Sequence, residues 1–188
     1  MRYRRRTLES TIEAIDRQFP VLLLTGPRQS GRTTLFRRVG AGRRYVTLDD
    51  PAVRELVRED PELFLDRYPP PLTVDEIQYA PGLLPHLKMR VDSAREPGAF
   101  WLTGPQQFQV MRGVTESLAG RVAILTLLGF SAREAARREA DVDPFLPGIG
   151  LAAGARGDSS HDAVFRAIWT GSFPAPIAER PMDREVFL

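Results

Sequence analysis

Gly26-Pro-Arg-Gln-Ser-Gly31-Arg32-Thr33-Thr34 follows directly on the apolar run Val21–Thr25 and opens a stretch with helical patterning. A strand, a glycine-bounded loop and a helix in that order decide the fold class. The glycines let the backbone curl so that successive N–H groups point inward at phosphate oxygens, and the helix N-terminus adds positive potential. The loop fits G-x-x-x-x-G-K-[ST] except that Arg32 stands in the lysine position. In this reading Gly26, Pro27, Arg28, Gln29, Ser30, Gly31, Arg32, Thr33 and Thr34 cradle the phosphates of a nucleotide. Arg32 reaches the β- and γ-phosphates, and the Thr33 hydroxyl binds Mg2+. The plainer alternative is a strand-to-helix turn that holds no ligand.

Outward from the loop, Pro71-Leu-Thr-Val-Asp75-Glu76-Ile-Gln78 is an apolar strand ending in adjacent carboxylates, 42 residues after Thr33. At the C-terminal end of a strand beside the loop, Asp75 can hold Mg2+ through water. Glu76 can orient and deprotonate the attacking water. Phe100-Trp-Leu-Thr103-Gly104-Pro105 is a further strand, and a hydroxyl at its end can touch the γ-phosphate or the lytic water. In Ser117-Leu-Ala-Gly-Arg121 the arginine suits charge on a transferring phosphoryl group, often from a neighbouring subunit. The plainer role for Arg121 is a salt bridge or a helix cap beside Gly120.

Five short apolar runs, Val21–Thr25, Tyr45–Leu48, Leu72–Val74, Ala99–Thr103 and Val122–Leu127, lack clean alternation, as strands buried on both faces do. Helical patterning lies between them over Thr33–Val39, Ala52–Arg58, Glu62–Arg67, Leu83–Ala94 and Gln106–Ala119. The alternation predicts an α/β fold with a five-stranded parallel sheet and helices on both faces. Ahead of it, Leu8, Ile12, Ile15 and Phe19 mark an amphipathic helix in residues 1–20, stopped by Pro20. The core is expected over 21–140, closing with a capping box, Ser131 to Glu134, that opens a basic helix over Ala132–Glu139. Residues 141–162, rich in Pro, Gly, Ala and Ser, read as a flexible linker. Residues 163–188 carry a short helical pattern around Phe165, Ile168 and Trp169 and are too few for a core of their own.

Composition narrows the chemistry. The 188 residues hold no cysteine, which excludes disulfides, thiolate metal sites and cysteine nucleophiles. Only His86 and His161 are histidines, so a histidine-rich metal site is not expected. Of 26 basic residues only Lys88 is lysine. Net charge is +2, but residues 1–48 carry +8 and residues 49–66 carry −5. No apolar run approaches the ~18 residues of a membrane span, and no apolar segment follows the basic start as in a signal peptide. A soluble, cytoplasmic protein is the expectation.

The sequence resembles the AAA-type P-loop ATPases of bacteria and archaea that carry the domain of unknown function 4143 after the ATPase core. The resemblance rests on GPRQSGRTTL (26–35), YVTLDDP (45–51), TVDEIQYAPGLLPHLK (73–88), FWLTGPQQF (100–108), ESLAGRVAIL (116–125) and IWTGSFP (168–174). It implies an ASCE-class sheet, ATP and Mg2+ as ligands, Asp75 and Glu76 as the Walker B pair, Thr103 or its neighbours as the sensor, and Arg121 as a candidate arginine finger. It implies that 163–188 opens the 4143 domain, which the chain leaves incomplete at Leu188. Two further departures are Arg32 for lysine and Pro105 where the family usually has serine.

Arginine keeps the charge of lysine but not its compact shape, and misplacement by ~1 Å can cost ~10²-fold in rate. The expectation is therefore nucleotide binding with slow or absent hydrolysis. The alternative is a nucleotide-responsive binding module that does no chemistry, its state read by the 4143 region or by a partner. The partners expected are a nucleotide and a second copy of the chain or another protein. Nucleic-acid binding through Arg2, Arg4, Arg5, Arg6, Arg37, Arg38, Arg43 and Arg44 is a weaker reading, because no interleaved aromatics supply a stacking surface.

Overall fold

A computed structural model describes residues 3–105, 113, 114, 116–137 and 160–178. These fall into two compact units, one of residues 8–128 and one of residues 1–7 with 129–188.

The first unit is built on a sheet of β1 (Val21–Thr25), β2 (Arg44–Thr47), β3 (Leu72–Asp75), β4 (Phe100–Thr103) and β5 (Val122–Thr126). All pairings are parallel and the spatial order is β2-β3-β4-β1-β5. Every residue of β1, β3 and β4 is buried, which explains why their sequences show apolar runs rather than alternation. One-residue shifts separate the expected strand limits from those observed: β2 begins at Arg44, and β3 runs on through Asp75.

Helices α1 (Leu8–Asp16), α2 (Arg32–Val39), α3 (Pro51–Glu59), α4 (Pro61–Arg67) and α5 (Leu83–Ala94) flank the strands. Asp60 ends α3 and starts α4: its carboxylate accepts from the Leu63 N–H at 2.9 Å, and Pro61 takes the first helical position, where no N–H is needed. Asp50 caps α3 in the same way through Ala52. One face of the sheet packs Leu23, Val74, Phe100 and Leu102 with Val57, Phe64, Leu65, Leu87 and Val91 from α3, α4 and α5. On α1, Ile12 is buried and Asp16 accepts from the Trp101 indole at 2.6 Å, so this helix belongs to the same unit as the sheet. Trp101 also meets Phe36 of α2 at 4.6 Å between centroids and carries the Arg43 guanidinium 4.3 Å above its ring. The helix expected over 106–119 lies mostly outside the described residues, of which 113, 114, 116 and 117 are helical.

In the second unit the expected capping box is present, with Ser131 and Glu134 bonded reciprocally at the start of α6 (Ala132–Ala135). Residues 138–159, most of the expected linker, lie outside the described residues. Its last residues are structured, because Ser160 caps α7 (His161–Thr170) through the Ala163 N–H. A short α8 (Pro174–Ala178), which the sequence reading did not place, begins on a proline suited to a first helical position.

Candidate functional site

The loop after β1 takes the backbone its sequence demands. Gly26 lies at φ 148°, and a Cβ there would collide with the Leu127 carbonyl oxygen. Gly31, at φ 91°, stands at the N-cap of α2 and, having no side chain, leaves the first N–H groups of the helix uncapped by that position. Between them Gln29 sits at φ 62°, a left-handed backbone uncommon for a residue with a side chain.

Strand order fixes what faces this loop. β4 lies between β1 and β3, so Thr103 stands between the loop and the carboxylates at the end of β3. Asp75 is 4% exposed. Its Oδ2 accepts from the Thr33 hydroxyl at 3.0 Å and, in a short bond, from the Tyr45 hydroxyl. Its Oδ1 accepts a short bond from Thr103. Among the described residues no cation pairs with this buried carboxylate, whose charge is met by three hydroxyl dipoles alone. Burial, then the bond to Asp75 and its charge, push the Tyr45 phenol well above its ordinary value, partly offset by Arg37.

Glu76 follows at φ 61°, also left-handed, and its N–H donates to Thr103 Oγ1 at 3.1 Å. Its Oε1 lies 3.5 Å from the Arg32 guanidinium, and its Oε2 accepts a short bond from the Gln78 amide. Arg32 is 7% exposed and folds back on the loop, donating to the Pro27 carbonyl at 3.4 Å and, in a short bond, to that of Gly26.

The structure thus brings Gly26, Pro27, Arg32, Thr33, Asp75, Glu76 and Thr103 together. Thr103 is fully buried, and its hydroxyl donates to Asp75 and accepts from the Glu76 N–H. Arg121 is not with the others within the chain. It precedes β5, whose first residue pairs with Val21 at the opposite end of β1 from the loop. There it forks onto the Asp92 carboxylate, with Nη2 to Oδ2 at 3.0 Å, and donates to the Ala119 carbonyl at 2.8 Å. The fork holds Asp92 below the usual carboxylate range and raises Arg121. The salt bridge considered for Arg121 is therefore present.

Sequence reasoning missed Tyr45 and Gln78. Gln78 was visible two residues past Glu76. Tyr45 becomes visible only with the register: Thr47 pairs with Asp75 and Tyr45 with Thr73, so Tyr45 and Asp75 rise from the same face.

Among the described residues no group of three or more His, Asp or Glu side chains could hold a metal by itself. The donors at the end of β3 nevertheless fit a magnesium ion of the phosphate-bound kind. A hydroxyl and one carboxylate lie 3.0 Å apart, and among the described residues the carboxylate is buried without a cation, the condition that a bound metal relieves.

A five-stranded parallel sheet with a glycine-bounded loop between β1 and α2, and carboxylates ending β3, defines the P-loop NTPase fold. A family model described as AAA domain matches residues 18–136, and the chain belongs to that family: it is an AAA-type P-loop protein. Two uncharacterized proteins, of Mycobacterium bovis and Mycobacterium tuberculosis, are each 39% identical over 123 residues, which is 65% of this chain but only 28% of theirs. Among solved structures, AMPPCP-bound DnaA from Aquifex aeolicus shares the fold with a TM-score of 0.51 at 12% identity, covering 90% of this chain and 56% of that one. A Walker-type ATPase of Pyrococcus abyssi gives 0.47 at 17% identity, over 68% and 54%. No helix among the described residues is long and apolar enough to cross a membrane.

Proposed function

We propose that this chain binds ATP with Mg2+ at the loop of residues 26–34 and is a Mg2+-dependent ATPase whose hydrolysis is slowed by Arg32. The observation that carries the reading is Asp75, a buried carboxylate with no cationic partner among the described residues, set 3.0 Å from the hydroxyl of Thr33. The uncapped start of α2 and the loop N–H groups would hold phosphates. Thr33, with Asp75 through water, would hold the metal, which when bound neutralises the β- and γ-oxygens. Glu76 is the base for the attacking water, and Thr103 sets the attitude of both carboxylates. Arg121 faces a transferring phosphate only from a second copy of the chain.

The non-catalytic reading has an observation of its own. Both oxygens of Glu76 are engaged, one by Arg32 and one by Gln78, so the base is not free in this state. Nucleic-acid binding has less support, since Arg37 lies over Tyr45, Arg43 over Trp101, and Arg44 donates to the Arg67 carbonyl. Residues 163–188 as the opening of a 4143 domain remain part of the proposal.

Steady-state phosphate release tests the catalytic claim. Arg32→Lys is expected to raise turnover by about 10- to 100-fold, and Glu76→Gln to silence it in either background. Equal turnover of the wild type and Arg32→Lys would overturn the role given to Arg32. Nucleotide binding with no turnover in either form would select the non-catalytic module.

A further inference from the structure

We propose that Tyr45 is a positioning residue for the magnesium half of this site, its hydroxyl fixing Asp75 Oδ2 in the attitude that a hydrated Mg2+ requires. The inference rests on the nucleotide reading above and extends it to a residue on the edge strand.

A carboxylate offers about four acceptor sites, two on each oxygen. Here Oδ1 takes the Thr103 hydroxyl, and Oδ2 takes those of Thr33 and Tyr45. Thr33 is the hydroxyl assigned to the metal, so its bond to Asp75 is the one that must be given up when Mg2+ is held. Tyr45 is then the protein contact left on Oδ2, and the site vacated by Thr33 is free for a metal-bound water. Without the phenol, Oδ2 has nothing to stop the carboxylate turning about the Thr103 bond.

Tyr45 is built for a fixed role. Its backbone is held in the β2–β3 ladder opposite Thr73. Its ring is covered at 4.1 Å by the guanidinium of Arg37, from the last turn of the helix that the phosphate loop opens, so that helix holds the ring in place. A phenol carries its proton at neutral pH and so is a hydrogen-bond donor there. A hydrogen-bond partner behind a metal ligand commonly accounts for 10- to 100-fold in metal affinity.

The test is binding of a fluorescent ATP analogue, measured in EDTA and across a Mg2+ titration. Tyr45→Phe keeps the ring and the Arg37 contact. It is expected to leave affinity in EDTA within about twofold of wild type while raising the half-saturating Mg2+ concentration about tenfold. Arg37→Met frees the ring but keeps the hydroxyl. It should move the Mg2+ midpoint the same way by a smaller factor, which decides the matter should Tyr45→Phe not fold. An unchanged or lower Mg2+ midpoint overturns the proposal. So does an equal loss of affinity with and without Mg2+, which marks a merely structural phenol. A wild type that binds the analogue equally well with and without Mg2+ overturns the Tyr45 role alone, whereas one that binds no analogue overturns the nucleotide reading itself.

Discussion

Two carboxylates in this chain are buried to the same degree, Asp75 at 4% exposure and Glu134 at 5%, and they are compensated in opposite ways. Glu134 accepts from the N–H groups of Ser131 and Thr7, both at 2.8 Å, and pairs with Arg6 at 3.1 Å. Burial pushes its carboxyl up, but those two N–H groups and the Arg6 charge outweigh burial and hold it below the usual glutamate value. Among the described residues Asp75 has hydroxyls only. A carboxylate answered by a cation from its own chain is an internal fastening. One answered by dipoles alone keeps an uncompensated charge, and under the proposed function that difference separates a structural acid from a metal-binding one.

The sharpest way to break the comparison is to neutralise both. Asp75→Asn is expected to abolish the Mg2+ enhancement of nucleotide affinity, a loss of about 100-fold, without lowering the melting temperature in EDTA. Glu134→Gln should cost about 3 kcal/mol in urea unfolding, because it removes the carboxylate charge from beside the buried Arg6, while nucleotide affinity is retained. If the two substitutions lower stability alike, Asp75 is a fastening too. Thr103→Val is nearly isosteric and removes one hydroxyl from between Asp75 and Glu76. It should cost about 1–2 kcal/mol and weaken the Mg2+-dependent part of binding.

The pH dependence follows from the lowered Glu134 value. A carboxyl held below its unfolded value stabilises the fold fully above that value, and the gain is lost as pH falls through the folded value. The stability advantage of wild type over Glu134→Gln is therefore constant near neutrality and shrinks below about pH 4.5. An advantage that persists undiminished at pH 3 would contradict this. The smallest effect is expected at a third carboxylate, Asp92, which forks with Arg121 at the surface. Exposed pairs contribute little, so Asp92→Ala should leave the melting temperature unmoved.

Much of this was legible because the physics is local. Burial on both faces turned β1, β3 and β4 into apolar runs, and the glycines of the 26–31 loop, the 75–76 carboxylates and the Ser131–Glu134 box each announce themselves within a few residues. What stayed hidden depends on pairings far apart in sequence. The Tyr45 hydroxyl reaches Asp75 across 30 residues only through the β2–β3 register. Thr103 is recognisable as a hydroxyl at a strand end, but its commitment to Asp75 and the Glu76 N–H follows from β4 lying between β1 and β3. The return of Arg32 onto the Gly26 and Pro27 carbonyls needs the loop backbone itself. Ser160 was lost among glycines and serines that looked featureless.

Gln29 and Glu76 share a left-handed backbone, and for a residue with a side chain that conformation costs about 1 kcal/mol or more against glycine. Under the proposed hydrolysis, heat resistance and turnover pull in different directions at 76 but not at 29. A library randomised at 29 and 76 and sorted for thermal survival should fill with glycine and asparagine at both. Sorted for turnover, the same library should restore glutamate at 76 and stay permissive at 29. Return of glutamate at 76 alone would mark a side chain that the proposed hydrolysis uses, where 29 supplies only its backbone.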